Sequence, residues 1–350
     1  METILRLAAS KEAVVAMCES KTWDDEDVRS RLERIRDSFG LDFMDVLAPN
    51  GQVMVRTSDP HARGDYRVSD PAVASALKGE IKSCLSLLSQ GELEKEADGL
   101  ADRATFVLED TPQARPKTKD VESRGMVMVA AVPVRQGMQV VGVVYGGVLI
   151  NRNSDLVDLI SKTVFRNGEY KGAPVGTATI FLNDCRIATT VRQENGNRAM
   201  GTRASKKVAD TVLDNGRSWV GEAFVVKDDC LTAYDPIRDG NGQTIGMLYV
   251  GILKQPFQDS ARGVMLLYLY VSLFVLLVSL VLAFIIASRL ALPIHKLVEA
   301  SDHMSHGDRP APVPESGSCQ ETSLLIRAFN QMTETLAERE EKLKALNRSY

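Results

Sequence analysis

The feature of this sequence that most constrains its fold is a long run without any charged residue. The run extends from Gly263 to Ser288, and Arg262 and Arg289 lie at its two ends. Within it, the stretch VMLLYLYVSLFVLLVSLVLAFIIA contains 24 residues, whereas a helix needs about 20 apolar residues to cross a bilayer. The alternative is a core helix of a soluble protein, but such helices seldom run this far without a charge. We therefore predict a transmembrane helix over residues 263–288.

The overall composition excludes several classes of function. The chain has 42 basic and 46 acidic residues and a formal net charge of −4, whereas nucleic-acid-binding proteins usually carry a strong basic excess. The five cysteines are scattered and form no CxxC pair, which argues against a zinc site or a dense disulfide framework. Cys185 and Cys230 can pair if their strands lie side by side; separate thiols are the other interpretation. We expect no metal, no cofactor and no nucleic-acid partner.

Two similar segments indicate that part of the chain is duplicated. The segment AVPVRQGMQVVGVVYGGVLI (131–150) aligns almost without gaps with YDPIRDGNGQTIGMLYVGILK (234–254). The aligned pairs are Pro133 with Pro236, Arg135 with Arg238, Gly142 with Gly246, Tyr145 with Tyr249, and Gly147 with Gly251. Upstream, MDVLAPNGQVMVRT (44–57) parallels TIFLNDCRIATT (179–190), and both segments have the pattern of strand, turn and strand. A repeat unit of this size indicates two copies of one module rather than a solenoid.

Local patterns predict helices and strands around these hairpins. Residues 1–40 show helical apolar spacing with a charged break at KTWDDED (21–27), and we expect a long helix that leads into the first strand pair. Asp70 followed by Pro71 predicts a helix N-cap and first turn. The segment SDLVDLISKTVF (154–165) predicts a helix between the two copies. In the second copy we expect a helix over 203–214 and strands over 218–226, 230–237 and 244–253.

After the uncharged run, the sequence predicts two helices that share a heptad seam. In the first helix the seam contains Ile294, Leu297, Ser301 and Met304, spaced 3, 4 and 3 residues apart. The connector RPAPVPESGSCQ, rich in Pro, Gly and Ser, separates the helices. In the second helix the seam contains Leu325, Phe329, Met332, Leu336, Arg339, Leu343 and Leu346.

This helix–connector–helix arrangement resembles a HAMP signalling domain. The residues that carry the resemblance are Pro293, Glu321, Phe329, Asn330 and Met332. The acidic pair and glycine that usually precede the second helix are replaced here by QETS, which retains Glu321. The position of the segment directly after a membrane span also fits the family.

The duplicated segments resemble a double Cache domain, the extracytoplasmic sensor of many bacterial receptors. The stretch GTRASKKVADTVLDNGRSWVGEAFVVKDDCLTAYDPI, followed by GQTIGMLYVGI, carries this resemblance most clearly. It implies an α+β fold with two tandem PAS-like Cache modules, built of antiparallel sheets with a long N-terminal helix, then one transmembrane helix and a HAMP-type helical coiled coil. The expected boundaries are 1–150 for the long helix and membrane-distal Cache module, 151–257 for the membrane-proximal Cache module, 263–288 for the transmembrane helix, 289–340 for the HAMP domain and 341–350 for the start of the output coiled coil.

Together the resemblances imply a homodimeric receptor that senses a small ligand and relays the signal through HAMP. The closing EREEKLKALNRSY is similar to the segment that leads into a histidine-kinase dimerisation helix. The expected output is therefore a cytoplasmic histidine kinase with its response-regulator partner. A methyl-accepting chemoreceptor and a membrane-anchored binding protein without output are the alternatives. An enzyme is disfavoured, because the sequence contains no nucleophile–base pair with a usable signature.

The resemblances also imply a location. We expect an inner-membrane protein with residues 1–262 outside the cytoplasm and residues 289–350 inside it. Export of the first part requires an earlier membrane helix, which we expect to precede this sequence. The alternative is that residues 1–262 stay in the cytoplasm.

The Cache resemblance places a ligand pocket over the sheet of the second module, under residues 192–214. The candidate ligand-binding residues are Arg186, Thr189, Arg198, Thr202, Arg203, Lys206, Lys227 and Tyr234. A cluster of cationic side chains at a helix N-terminus would suit a carboxylate, such as an organic acid or an amino acid. The alternative is that these residues are exposed surface charges and a helix cap.

The first copy contains a second group of candidate residues. Arg56, His61, Arg63 and Arg67 lie in or just after the segment RTSDPHARGDY. Such a loop, punctuated by Gly and Asp, can form the roof of a pocket. A solvated surface loop is the simpler interpretation of so many charges, and we expect it here.

Overall fold

The first 257 residues form a mixed α+β unit that contains two five-stranded antiparallel sheets. The computed structural model describes residues 1–59, 61–166, 168–193, 195–225, 228–315 and 320–347. The helices of this unit are α1 (Glu2–Ala9), α2 (Glu12–Ser20), α3 (Glu26–Ser38), α4 (Pro71–Leu77), α5 (Gln90–Glu96), α6 (Leu100–Ala104), α7 (Ser154–Phe165) and α8 (Lys206–Ala209), which continues as a π-helical turn over Asp210–Asp214. Its strands are β1 (Phe43–Leu47), β2 (Val53–Arg56), β3 (Lys82–Leu88), β4 (Phe106–Val107), β5 (Val121–Glu122), β6 (Gly125–Gln136), β7 (Gln139–Leu149), β8 (Glu169–Tyr170), β9 (Ala173–Pro174), β10 (Gly176–Leu182), β11 (Cys185–Thr189), β12 (Trp219–Val225), β13 (Asp228–Arg238) and β14 (Thr244–Leu253).

The two sheets have the same strand order. The order is β2-β1-β7-β6-β3 in the first sheet and β11-β10-β14-β13-β12 in the second. The hairpins β6–β7 and β13–β14 each have a register shift just before the aligned arginine, Arg135 or Arg238. Each arginine donates a hydrogen bond to the carbonyl of a glycine at a chain reversal, Gly79 or Gly216. The two sheets therefore share their strand order, the register shift in one hairpin and the hydrogen bond from an arginine to a glycine carbonyl.

The N-terminal region differs from the long helix that we expected. Three separate helices, α1 to α3, cover this region. One break follows Ala9, and the other begins at Lys21, which has a left-handed φ of 56°. The side chain of Asp25 then caps α3 by accepting a hydrogen bond from the Val28 amide. Such polar residues stabilise helix ends better than helix interiors, so the polar segments divide the predicted helix.

Each sheet is covered on both faces. Helices α1 to α3 pack on one face of the first sheet, and helices α4 to α6 pack on the other. Helix α7 packs on one face of the second sheet, and residues 191–212 pack on the other. Phe106, Leu108 and Met126 share the α7-side core with Ile180 and Ile187. The two halves of this unit therefore pack against each other through a common apolar cluster.

Several local predictions for this unit are confirmed. Asp70 accepts hydrogen bonds from the amides of Ala72 and Val73, and Pro71 opens α4. Helix α7 has the predicted bounds, and β12 to β14 lie within two residues of theirs. The predicted helix over 203–214 begins later, at Lys206. Cys185 forms no disulfide, and Cys185 and Cys230 lie in clusters on opposite faces of the sheet.

The aligned glycines Gly142 and Gly246 allow close strand approach. A Cβ on Gly246 would overlap the carbonyl oxygen of Phe181, and a Cβ on Gly142 would lie 3.0 Å from the carbonyl oxygen of Leu47. We expect Gly246→Ala to lower the free energy of unfolding by about 1–3 kcal/mol, because a packed sheet must shift to make room. Gly91, in α5, has open space where a Cβ would lie, so Gly91→Ala serves as the control.

Chemical denaturation of both variants checks this prediction. Gly91→Ala should leave the stability unchanged or raise it by up to about 1 kcal/mol, because alanine is the better helix former. A Gly246→Ala variant as stable as the parent chain would contradict the close strand approach.

The C-terminal part of the chain is helical. It contains α9 (Gln255–Ile286), a π-helical segment (Ala287–Ala291), α10 (Leu292–Ser305) and α11 (Gln320–Asn347). Within the described ranges, one helical stretch, which includes α9, is long and apolar enough to cross a membrane. Its apolar side chains are exposed rather than buried. The alternative of a buried core helix is therefore wrong for this segment.

Candidate functional site

One face of the second sheet carries a row of polar and aromatic side chains. Thr179 on β10 pairs with Thr189 on β11 and with Tyr249 on β14, which in turn pairs with Tyr234 on β13. Directly opposed residues on neighbouring antiparallel strands point to the same side of a sheet, so these four buried side chains lie in one row. The two threonine hydroxyl oxygens are 2.6 Å apart, and the two tyrosine ring centroids are 4.9 Å apart.

Arg186 lies on the same face, opposite Phe181. Its guanidinium carbon is 5.3 Å from the centroid of the Phe181 ring, and one of its terminal nitrogens donates a 2.7 Å hydrogen bond to the Thr202 hydroxyl. The residue is only 6% exposed. Its Nε has no hydrogen-bond partner, and it forms no ion pair, in the part of the chain that the structure describes. Burial without a counter-ion lowers the pKa of Arg186.

This arrangement favours the binding of an anion. A buried charge without a partner is costly, and an incoming carboxylate would supply both the opposite charge and the missing hydrogen-bond acceptor. Burial raises the pKa of Tyr234 to about 12, and it raises the pKa of Tyr249 as well. Both phenols therefore stay neutral near neutral pH and can donate hydrogen bonds to an anion. We call Arg186, Thr202, Phe181, Tyr234 and Tyr249 the Arg186 site.

A cover of small apolar side chains lies over the Arg186 site. The cover consists of residues 191–193 and 195–212. The side chains of the cover that pack with Phe181, Tyr234 and Tyr249 in one apolar cluster are Val191, Ala199, Ala204, Val208 and Val212. The cover is held by a segment from the first half of the unit, through hydrogen bonds that include three from backbone amides. These three run from the Glu109 amide to the Gly201 carbonyl, from the Arg203 amide to the Thr111 hydroxyl, and from the Lys206 amide to the Gln113 carbonyl, at 3.1, 2.9 and 2.7 Å.

Arg198, Arg203 and Lys206, three of the other predicted cations, have acidic partners of their own. Arg198 makes two hydrogen bonds to Asp158, of 2.9 and 2.8 Å, and these bonds lower the pKa of Asp158. Arg203 pairs with Asp184 at 2.6 Å. The structure therefore does not bring Arg198 and Arg203 together with Arg186 as unpaired charges.

The remaining predicted residues fall into three groups. Thr189 and Tyr234 belong to the buried row, and Thr202 accepts the hydrogen bond from Arg186. Lys206 is exposed and pairs with Asp210. Lys227 lies outside the described residues.

A cleft of about 500 Å³ lies beside this face, next to α7. Asp158, Thr177 and Arg198 are among its lining residues. The Thr177 hydroxyl is 3.1 Å from the Tyr249 hydroxyl, and Arg198 also donates a 2.6 Å hydrogen bond to the Thr189 carbonyl. The cleft therefore borders the end of the buried row.

The first sheet carries a buried cluster of charges that the sequence patterns missed. Arg56 makes two hydrogen bonds to Asp65, of 2.8 and 2.9 Å, and two longer ones to Glu96, both of 3.4 Å. Arg67 hydrogen-bonds to Glu96 as well and to Glu92 at 2.7 Å. The expectation of a solvated loop is therefore wrong for Arg56 and Arg67, which are both buried. The signal in the sequence was weak, because their acidic partners on α5 lie 25 to 40 residues away.

Asp45 is the acidic residue of this cluster whose side chain makes no hydrogen bond in the described part of the chain. It is fully buried, and neither of its carboxylate oxygens has a hydrogen-bond partner among the described residues. Burial and the nearby Glu96 carboxylate raise the pKa of Asp45 well above its usual range. When it is protonated, Asp45 can donate a hydrogen bond to a neighbouring carboxylate. The buried carboxyl group is then hydrogen-bonded without any further residue.

We expect stability to fall with rising pH because of Asp45. A carboxyl group whose pKa is raised by folding binds its proton more tightly in the folded state, so its stabilising effect is full below the unfolded pKa of about 3.9 and is lost as pH rises through the folded pKa. Asp45→Asn mimics the protonated form and should flatten this part of the curve. The measurement is the free energy of unfolding between acidic and alkaline pH; curves of the same slope for both chains would contradict the assignment.

The predicted HAMP residues have defined places in the C-terminal helices. Pro293 is buried in the first turn of α10. Phe329 packs against a cluster of Leu297, Ala300, Val313 and Ile326. Asn330 makes two 3.0 Å hydrogen bonds, one with the amide and one with the carbonyl of Val313. Glu321 lies at the start of α11, and Met332 is exposed on the same helix.

Two protein-family models match this chain. Residues 148–264 match the single cache domain 3 model, and residues 285–338 match the HAMP domain model. The chain is therefore similar to a Cache domain and, further along, to a HAMP domain, with the long apolar helix between the main parts of the two matches. A search of curated proteins finds no match.

Among the solved structures with distant similarity to the chain are domains of three bacterial proteins. The sensor domain of the Vibrio cholerae histidine kinase DctB has 11% identity, over 72% of this chain and 88% of that one, with a TM-score of 0.38. The Vibrio cholerae LuxQ periplasmic domain has 12% identity, over 72% and 92%, with a TM-score of 0.36. The sensory domain of the Campylobacter jejuni chemoreceptor Tlp3, with isoleucine bound, has 12% identity over 73% and 84%, with a TM-score of 0.37. At these scores the similarities say nothing about the ligand or output of this chain.

Proposed function

We propose that this chain is the sensor and relay part of a homodimeric transmembrane receptor. The observation that carries the proposal is the order of three parts along the chain, a Cache match, an exposed apolar helix and a HAMP match. A sensor on one side of a membrane and a signalling helix pair on the other require a rod between them, and α9 has the length and composition for this. The receptor would lie in the inner membrane, with residues 1–262 outside the cytoplasm and 289–350 inside it.

The proposal includes two Cache modules. The first would cover residues 1–150 and the second residues 151–257, followed by the transmembrane helix 263–288, the HAMP domain 289–340 and the start of the output coiled coil at 341–350. The identical strand order of the two sheets and the matching contacts of Arg135 and Arg238 support this division.

The ligand of the second module would be a small carboxylate. Its support is Arg186, a buried cation without an acidic partner in the described part of the chain, beside two neutral tyrosines that can donate hydrogen bonds. Thr202 orients the guanidinium, and Tyr234 and Thr189 line the same face. The cover would move to admit the ligand, because Arg186 is buried beneath it. An organic acid and an amino acid both offer the required group.

A thermal-shift screen of the full chain in detergent tests this ligand class. The probes are acetate, propanoate, succinate and the common amino acids, each compared with chloride at equal ionic strength. Binding to the folded state raises its melting temperature by mass action. We expect at least one carboxylate to act beyond chloride, whereas amines without a carboxylate should not. A panel without any carboxylate-specific shift would contradict the proposal.

The homodimer is supported by an unpartnered apolar seam on α11. Leu325, Met332, Leu336 and Leu343 are all about half exposed or more in the single chain. Apolar residues at heptad spacing bury themselves against a second helix in a coiled coil. A second copy of the chain is the partner that the seam fits. The test is cysteine cross-linking in membranes, where Leu336→Cys should form a dimer more readily than Glu334→Cys, on another face; equal yields would contradict the seam.

The signal would be relayed by a shift in the equilibrium between two packing arrangements of the receptor. Strand β14 of the second module leads directly into α9, so the sheet and the helix are joined by one peptide segment. A ligand shifts such an equilibrium only by the difference in its affinity for the two states. Side chains of the cover and of β14 belong to the apolar cluster around the Arg186 site. This shared packing supports the cover and β14 as the elements that respond to the ligand.

The output would be a histidine kinase, and a chemoreceptor is the second candidate. Both use a HAMP domain followed by a continuous coiled coil, so the described helices fit either. Reading the coding sequence beyond codon 350 separates them: a kinase core supports the first, and long methylation helices support the second. A stop directly after the coiled coil would instead support an anchored binding protein without output.

A further inference from the structure

The buried row of the second sheet has a counterpart in the first. Asp45 pairs with Arg56 and with Tyr145, as Thr179 pairs with Thr189 and with Tyr249. Tyr145 and Tyr249 are also the aligned tyrosines of the two copies. The position of Thr189 in the second module is therefore the position of Arg56 in the first, on the corresponding face of the sheet.

In the first module this face is filled by a side chain of the protein itself. Glu96, the last residue of α5, is fully buried and receives hydrogen bonds from both Arg56 and Arg67. Helix α5 is held in place by a capping box, in which Ser89 and Glu92 exchange hydrogen bonds. Glu92 also accepts a 2.7 Å hydrogen bond from Arg67. The carboxylate of Glu96 thus lies where two converging guanidinium groups would bind a small anion.

We propose that Glu96 is a built-in ligand of the first module, occupying a binding site for a small carboxylate. The second module presents a cation without a carboxylate partner among the described residues, Arg186, whereas the first presents two cations that share the Glu96 carboxylate. Asp65 and Glu92 are further partners of these two cations, Asp65 for Arg56 and Glu92 for Arg67. The first module would then be closed to outside anions. The inference goes beyond the proposed function, because it holds whether or not the chain is a receptor.

Removing the side chain of Glu96 would open this site to a matching molecule. Glu96→Ala deletes the Cγ and the carboxyl group, which together correspond to the heavy atoms of acetate. Arg56 and Arg67 would then lie buried with part of their counter-charge lost, and acetate would restore it. The shape of the space favours acetate and formate over larger acids.

The test is hydrogen exchange of the β1 and β2 amides in the full-length Glu96→Ala chain, in acetate and in chloride at equal ionic strength. Acetate at ten times its dissociation constant should slow this exchange about tenfold, by mass action. The parent chain should show no such effect in β1 and β2, because Glu96 fills the site. This local readout also separates the effect from any binding of acetate at the Arg186 site.

Two further variants complete the test. Glu92→Ala removes a half-exposed carboxylate of the same cluster, and Glu96→Gln keeps the volume of the side chain; acetate should protect neither. If Glu96→Ala is unfolded in chloride, the readout becomes the recovery of protected β1 and β2 amides on adding acetate. Acetate that acts no differently from chloride on Glu96→Ala would overturn the proposal, as would equal protection of the parent chain.

Discussion

Arg186→Met should strongly weaken carboxylate binding and, at the same time, stabilise the ligand-free chain. Without Arg186, the carboxylate of a bound ligand would be buried without an opposite charge. Truncating one partner of a buried charge pair costs about 2–5 kcal/mol of binding free energy, so the affinity should fall by about 30-fold or more. Without ligand, the arginine is a buried cation with an unpartnered Nε. Methionine has no charge to desolvate, and we expect a gain of about 1 kcal/mol or more in the free energy of unfolding. Such an exchange of stability for function is typical of binding sites.

The matched control for this prediction is Arg198→Met. Arg198 already has Asp158 as a bidentate partner, so its loss leaves an unpaired carboxylate and should lower stability. The measurements are chemical denaturation without ligand and thermal shifts with acetate, propanoate, succinate and amino acids. An Arg186→Met chain that binds the best of these as tightly as the parent, or that is less stable than the parent without ligand, would contradict the role of Arg186.

Arg56→Ala should destabilise the region of the first sheet more than any other single change at a charged residue that we propose. Arg56 is fully buried and lies between Asp65, Glu96 and Asp45, at 2.8, 3.4 and 3.9 Å. Removing one partner of a buried charge pair usually costs about 3–5 kcal/mol, because the other charge is left uncompensated. We expect a loss of this size in the free energy of unfolding, accompanied by faster hydrogen exchange of β1 and β2.

Arg63→Ala is the control for Arg56→Ala. Arg63 pairs with Asp24, but both side chains are substantially exposed, and an exposed pair contributes about 0–1 kcal/mol. Denaturation of both variants under the same conditions gives the comparison. Two variants of similar stability would show that the cluster around Arg56 is not a buried, mutually dependent set of charges.

The elements that the sequence predicted well are those fixed by local chemistry. The cap of α4 follows from Asp70 and Pro71, whose effects act within one helical turn. The strands β13 and β14 follow from alternating apolar residues around a turn rich in Gly and Asn. The uncharged run predicted its own helix, because about twenty or more consecutive apolar residues have few other stable arrangements.

The elements that the sequence predicted poorly depend on residues far apart in the chain. Whether a given arginine is free for a ligand depends on acids such as Asp158, which lies 40 residues before Arg198. In the same way, the burial of Arg56 depends on Glu96, which lies 40 residues after it in the sequence. The long N-terminal helix was wrong for a local reason: the charged break at residues 21–27 was expected, but the break after Ala9 was not. Helical periodicity alone does not show where one helix stops and the next begins.

The measurement that tests the proposed receptor most directly is the side of the membrane on which each part lies. Met138, in the turn after β6, is 93% exposed, and Lys342, on α11, is also exposed. A thiol reagent that cannot cross membranes should label Met138→Cys in intact cells and should label Lys342→Cys only after lysis, above the background of the unsubstituted chain. If Met138→Cys is protected until lysis, or if Lys342→Cys reacts in intact cells, the two parts do not lie on opposite sides as proposed.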